Sequence, residues 1–310
     1  MFVQLIILFD EMEDILNENF QKLAESLGQC VAGDEKLFHF TGESKDVRLC
    51  ISKPDRIGLW FYQLCALLRS GKPYLLMLQM HTNRDGGIVK VSDIVGKWAD
   101  IIMTVGKERV EEGKNPNEST ILCFDNYYMD ATVRDQQKLK EIAYTASCKA
   151  DRFVPERTLV HQNDADEPGE SASIYNEATN ELFTYHYDTQ KGVGKKYNMS
   201  FGLVRSTDKY KVKSHKDMIP GYDIYKQCFE ACDHFNRNLH DRSWPHKRGG
   251  HGRKGDFGCQ HDFIFACILQ NTVNATDELN RNNGLVAKTY EQKLIELSDD
   301  IFAFAMTIVA

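Results

Sequence analysis

Three aspartates sit where a carboxylate could act on a substrate. Asp34 falls between Val31 and Leu37 in the strand-like run QCVAGDEKLFHF, and Asp125 ends the apolar run TILCFD. Asp233 lies on YDIYKQCFEACDHFNRNL, whose apolar stripe is Tyr225, Cys228, Phe229, Cys232, Phe235 and Leu239. Asp233 and Asn236 are three residues apart, hence neighbours just off that stripe. Three carboxylates gathered at one point repel and raise one another's pKa unless a cation joins them. Hard oxygen ligands of this kind suit Mg2+ or Mn2+ and not Zn2+. Two such ions about 4 Å apart can activate a nucleophile and stabilise a leaving oxygen in phosphoryl transfer. Taken singly, each aspartate reads better as a capping or solvated residue, and the spacing alone supports the cation reading only weakly.

The elements that would position them follow from periodicity. Met12, Ile15, Leu16, Phe20, Leu23, Ala24 and Leu27 recur at helical spacing and stop at Gly28. Four strand-like runs come next, QCVAGDEKLFHF, DVRLCIS, IGLWFYQLCALL and YLLMLQMHT, separated by turn-forming TGES, SKPD and RSGKP. Strands in such close succession predict an antiparallel meander. A helix with Ser92 as N-cap then carries Ile94, Val95, Trp98, Ile101 and Ile102 on one face. TILCFD is apolar throughout, as a central strand is. ATVRDQQKLKEIA is an amphipathic helix and YTASCKA a further strand, which makes a crossover unit.

Beyond residue 156, HQNDADEPGESAS is acidic and rich in breakers, and reads as an exposed loop. Short alternating pieces from 174 to 216 (LFTYHYD, KYNMSFGLV, KYKVK) predict a small β-rich insertion, and helix returns at 222–240 and 261–275. TYEQKLIELSDDIFAFAMTIVA reads as a C-terminal helix. Nine scattered cysteines form no CxxC pair, which predicts reduced thiols in an intracellular protein. MFVQLIILFD lacks a basic leader and a cleavage site and reads as a core segment, and no run is long enough to suggest a membrane span. A net charge of −7 means that any nucleic-acid surface must be local.

Three local strings carry a family resemblance. GQCVAGDEKLFHFTG followed by ISKPDRIGLWFYQL resembles the first catalytic block of the piggyBac-family transposases, with its Asp-Glu pair on a strand and a later Lys-Pro and Gly. LCFDNYYMD resembles the second block, an apolar strand ending in Asp-Asn and two aromatics. YKQCFEACDHFNR resembles the third, and Trp244 with FACILQNTVNA resembles the helix that closes the region. The blocks occur in family order, and the resemblance spans roughly residues 10 to 276. It implies an α/β, RNase H-like catalytic core of the DDE type interrupted by a β-rich insertion. The expected division is 1–29 as a helical lead-in left from an N-terminal region, and 30–152 as the first part of the core. Residues 153–218 are then the insertion, 219–276 the second part of the core, and 277–310 a helical extension.

The resemblance also implies that Asp34, Asp125 and Asp233 are the catalytic aspartates and that they hold two Mg2+ or Mn2+ ions. The implied reaction is cleavage at transposon ends by activated water, then attack by the freed 3′-hydroxyl on the opposite strand or on target DNA. The implied partners are double-stranded DNA, with TTAA targets, and a second copy of the chain, in the nucleus. There are departures from the pattern. Asn236 stands where a further metal-associated aspartate is usual, Met129 and Asp130 replace small residues, and Glu230 and Ala231 replace a Gly pair. An amide oxygen can coordinate a cation but brings no charge. Neither the family's N-terminal DNA-binding region nor its Cys-rich tail is matched, and a chain that binds DNA or protein without cutting is the alternative expectation.

Other candidates read less sharply. WPHKRGGHGRKG holds Lys247, Arg248, Arg253 and Lys254 in a glycine-rich, acid-free loop suited to DNA phosphates, or simply to solvent. His246, His251, Cys259 and His261 match no common zinc spacing. Cys228 and Cys232 read as core residues. LFTYHYD could stack on bases but fits core packing better, and its Asp188 is a rival to Asp125 that the DNYY block displaces.

Overall fold

The computed structural model describes residues 27–39, 46–51, 56–68, 70–81, 89–111, 121–139, 144–148, 152, 171–176, 181–188, 196–203, 231–237 and 256–285, together with residues 14, 17, 18 and 292. β1 (Leu27–His39) pairs along both of its sides. On one side it runs antiparallel to β3 (Ile57–Leu68), with Asp34 opposite Gln63 and Glu35 opposite Tyr62. On the other it runs parallel to β5 (Ile121–Phe124), Cys30 opposite Ile121 through Gly33 opposite Phe124. β3 passes antiparallel to β4 (Pro73–Met80) on its far edge, and β2 (Val47–Leu49) takes the remainder of that edge. β5 continues parallel into β6 (Tyr144–Cys148).

β7 (Ser171–Asn176), β8 (Glu181–Asp188) and β9 (Lys196–Leu203) form an antiparallel set, and β9 pairs with β6. One mixed sheet therefore has the order β2-β3-β1-β5-β6-β9-β8-β7, with β4 on β3. Two of the pieces expected as an insertion, LFTYHYD and KYNMSFGLV, form β8 and β9 and extend its edge, while KYKVK lies outside the described residues.

Helices cover both faces. α1 (Val91–Glu111) and α2 (Ala131–Leu139) lie on one face, where Ile94, Val95, Trp98 and Val133 are buried with Val31, Tyr62, Leu64, Phe124 and Tyr128. A helical segment at 231–237, α3, lies on the other, where Ala231, Cys232 and Phe235 pack with Ala32, Cys65 and Cys123. The small residues there let α3 approach closely enough for the Cys232 thiol to donate to the Ala32 carbonyl at 3.2 Å. Among the described residues no helix is long and apolar enough to cross a membrane.

Several expectations need correction. Leu27 and Gly28 open β1, so the lead-in helix stops earlier; most of its stripe lies outside the described residues. Ser92 is not the N-cap, because α1 starts at Val91 and the Lys90 carbonyl accepts from the amides of Asp93 and Ile94. β2 does not lie between β1 and β3, since only three residues of DVRLCIS form ladder and they pair on the far side of β3. Residues 171–176, in part read as loop, form β7. The closing helix, α4 (Asp256–Asn282), runs well past the expected 275. The expected C-terminal helix lies almost wholly outside the described residues.

The edge at β4 is closed by side chains. The Asn271 carboxamide on α4 accepts from Leu75 N at 2.8 Å and donates to Leu75 O at 2.7 Å. Asn17 does the same for Leu78, at 2.9 Å in both directions. Each amide stands in for one residue of a missing neighbour strand, and an edge so paired cannot recruit another chain. Lys72 pairs with Asp277, and the Glu278 carboxylate accepts from Ser70 N at 3.1 Å. On the opposite flank Arg134 of α2 grips the buried Glu181 of β8 in a bidentate pair, at 2.8 and 2.9 Å.

Asn271→Leu strips both buried partners from Leu75, and an unpaired backbone group costs about 1–3 kcal/mol. Its unfolding free energy should fall by about 2–4 kcal/mol, more than in Asn17→Leu, whose site is less buried. Hydrogen exchange should speed up at the Leu75 amide specifically, and unchanged protection there would refute the edge assignment. A second prediction concerns Gly33, where a Cβ would sit 2.2 to 2.6 Å from three ring atoms of the fully buried Trp98. Gly33→Ala should cost about 1–3 kcal/mol by overpacking. Combined with Trp98→Leu, which opens that space, the two losses should sum to less than their separate values in denaturant titrations.

Candidate functional site

Asp34 and Asp125 each follow the Gly33–Phe124 pair by one residue, Asp34 within β1 and Asp125 just past the end of the parallel β5. Successive side chains alternate between faces, so Asp34 belongs to the face that Ala32 and Cys123 share, under α3. Asp34 is buried and Asp125 half-buried. Asp34 Oδ1 accepts from Glu35 N at 2.8 Å. At the end of β5 the chain must turn, and Asp125 makes the turn itself: its Oδ1 accepts from Tyr127 N at 2.7 Å and its carbonyl from Tyr128 N at 3.2 Å. Such side-chain-to-backbone bonding is the ordinary work of an aspartate at a strand end.

The loop that follows is held from outside. The Arg152 guanidinium donates to the carbonyls of Asn126 (3.1 Å) and Met129 (2.6 Å). Asp130 Oδ1 accepts from Val133 N at 2.9 Å and so caps α2.

Asp233 is exposed on α3, while Asn236, one turn on, is buried with its Oδ1 lacking a hydrogen-bond partner among the described residues. Burial pushes the Cys232 thiol well up, a hydrogen bond with Cys65 adds to it, and the Asp34 and Asp233 carboxylates push the same way. Cys232 thus marks where the third aspartate's helix meets the first aspartate's strand. Among the described residues no three His, Cys, Asp or Glu side chains gather closely enough to hold a metal ion. The structure therefore places Asp34 and Asp125 one residue past the same cross-strand pair, and brings α3, with Asp233 on its exposed side, over the face of Asp34. Lys247, Arg248, Arg253 and Lys254 lie outside the described residues, as do His246 and His251 of the zinc alternative.

Sequence reasoning missed the polar set on the opposite face. Glu35 and Tyr62 are cross-strand neighbours, and the Tyr128 hydroxyl donates to the Glu35 carboxylate at 2.7 Å. Burial pushes the Tyr128 phenol well up, and the carboxylates of Glu35, Asp34 and Asp125 reinforce the shift, so it remains a protonated donor. Arg48 donates to His81 Nε2, and His81 Nδ1 meets the Tyr62 hydroxyl at 2.9 Å. With Nε2 accepting, the ring proton of a neutral His81 belongs on Nδ1 and is donated to Tyr62. Burial, aided by Tyr127 and Glu35 and opposed by Arg48, pushes the Tyr62 phenol up to about 12. The adjacency of Glu35 to Asp34 was a usable signal, because neighbours on a strand must serve opposite faces. Nothing local in the sequence pointed to Arg48 or His81.

No protein-family model matches the chain, and no curated protein matches it in sequence. Among solved structures it is similar to a piggyBac transposase, seen by cryo-EM in a synaptic complex with hairpin DNA, with a TM-score of 0.62 and 12% identity. The match covers 87% of this chain and 52% of that chain. This chain thus spans about half the length of the transposase chain it matches. At that identity the likeness is one of fold: a mixed α/β architecture around a mixed sheet, similar to that of piggyBac transposase.

Proposed function

We propose that the chain is a transposase-related protein of the piggyBac type, with an RNase H-like core that cuts and joins DNA in the nucleus with Mg2+ or Mn2+. The observation that carries this reading is the placement of Asp34 and Asp125 one residue past the same pair of adjacent parallel strands β1 and β5, with the helix that bears Asp233 and Asn236 packed on Ala32 and Cys123. The transposase-like fold and the central arrangement of antiparallel β1, β3 and β4 with parallel β5 and β6 support it. Two carboxylates brought close to one another favour a cation between them. The unpartnered, buried Asn236 Oδ1 fits such a group, because an oxygen denied water needs another partner.

On this reading Asp34, Asp125, Asp233 and Asn236 would hold the cations. These supply the positive charge that lowers the pKa of an attacking hydroxyl and neutralises the leaving oxygen. The rest falls to the chain's own groups. The Asx turn fixes one Asp125 oxygen on Tyr127 N and so orients the carboxylate. Arg152 keeps the following loop in place. Tyr128, held protonated, ties Glu35 away on the opposite face and keeps a third carboxylate out of the pair's immediate surroundings. Lys247, Arg248, Arg253 and Lys254 would meet the phosphates of double-stranded DNA, and such contacts weaken steeply with salt.

A second reading is favoured by one specific observation: the three aspartates do not form a metal cage among the described residues. In it the chain binds DNA or protein without cutting. Cation-dependent nicking of DNA carrying matched terminal repeats separates the two. Catalysis predicts cleavage that needs Mg2+ or Mn2+ and drops at least about 100-fold in Asp125→Asn, the scale of losing one group that stabilises transition-state charge. Nicking at the parent rate in that variant would remove the catalytic assignment. A gel shift without any cation-dependent cleavage would establish the binding role instead.

A further inference from the structure

Gln63 is fully buried in the middle of β3, and neither its Oε1 nor its Nε2 has a hydrogen-bond partner among the described residues. A carboxamide without partners is a costly occupant for an interior position, and an aliphatic side chain would fill the space without that penalty. Its surroundings show what it can serve. Along β3 the flanking residues on its face are Phe61 and Cys65, and across β4 its partner is Leu78. Across β1 its partner is Asp34. Directly opposed residues in an antiparallel pair share a face with Cβ atoms about 4.5–5.5 Å apart. Among these neighbours Asp34 is the one polar side chain. Asn236 supplies a second unpartnered, buried amide oxygen from the helix that packs on the same face.

We propose that Gln63 is a positioning residue for Asp34. Its amide group takes up hydrogen bonds with the Asp34 carboxylate and with the hydration water of a divalent cation when that cation is bound, and fixes which carboxylate oxygen faces the ion. The inference rests on the reading of Asp34 as a cation ligand and extends it to a residue that holds no charge. Groups that orient a metal's ligands through hydrogen bonds commonly change its affinity by about 10- to 100-fold when removed.

The test is Mn2+ binding by the purified chain, measured by electron paramagnetic resonance, beside thermal unfolding with and without the ion. The variants are Gln63→Met, which keeps volume and removes the amide, and Asp34→Asn as reference. Gln63→Met should leave the unfolding temperature without Mn2+ unchanged or raised, because it removes an unsatisfied buried group. The same variant should weaken Mn2+ binding by about 10-fold or more and shrink the shift in unfolding temperature that Mn2+ produces. A lowered unfolding temperature without the ion would show that Gln63 has a structural partner, and would overturn the proposal. So would binding that requires Asp34 yet is the same in Gln63→Met. Binding that is absent, or indifferent to Asp34→Asn, would overturn the cation-site reading itself and this inference with it.

Discussion

The space above Gly33 is occupied by the ring of Trp98, and the register of the sheet's centre depends on that contact. β1 is paired on both sides, so a slip by one residue would break two ladders and exchange its faces. It would also drive a side chain into the Trp98 ring, since only a glycine leaves room for it. With Gly33 locked beneath α1, Asp34 must face the other way, toward α3. The parallel pairing of Gly33 with Phe124 then puts Asp125 at the matching position, just past the end of β5. One close approach between a strand and a helix therefore fixes which face carries Asp34.

The rest of the sheet protects that arrangement from its flanks. Strand β4 is closed by Asn17 from before the sheet and by Asn271 from long after it, so distant parts of the chain are tied to one edge. The bulge in the pairing of β3 with β4 turns both Leu76 and Met77 toward the face covered by α1, which leaves Leu75 and Leu78 with Phe61 on the other. On the far flank the sheet runs on through β9, β8 and β7. There the bidentate Arg134–Glu181 pair links α2, which begins at the end of the Asp125 loop, to β8. Breaking one partner of such a buried pair strands a charge, so the loop and the flanking strands are mechanically coupled.

Much of this was legible in the amino-acid order. Strands β1, β3, β4 and β5 and the buried face of α1 follow directly from apolar periodicity, because burial on one or both faces leaves its mark on every residue of the run. The aspartates stood out through their local strings. What escaped was set by partners remote in the chain. Nothing near residue 271 announces that its amide will complete a strand at residue 75, and nothing near Arg48 points to His81. The short β2 was misplaced for the same reason: three residues of ladder carry too little pattern to say which edge they join. Ser92 has a capping chemistry that the helix did not use, because the Lys90 carbonyl closes the first turn before it.

The distribution of charge around the site has its own logic. Glu35, Asp34 and Asp125 all lie close enough to the Tyr128 phenol to raise its pKa, and Asp233 stands on the helix above. In the absence of a cation each further buried carboxylate would meet the repulsion of the others as well as the cost of leaving water. An amide at the buried position 236 keeps a coordinating oxygen while adding no charge, and another amide, Gln63, lies across from Asp34. On the proposed reading, stability without an ion is thereby favoured at the expense of affinity for it, since a neutral oxygen binds a hard cation less strongly than a carboxylate. On the proposed reading the chain has moved part of the cation's environment from charge to dipole, and the polar groups left unsatisfied inside the sheet are the residue of that exchange.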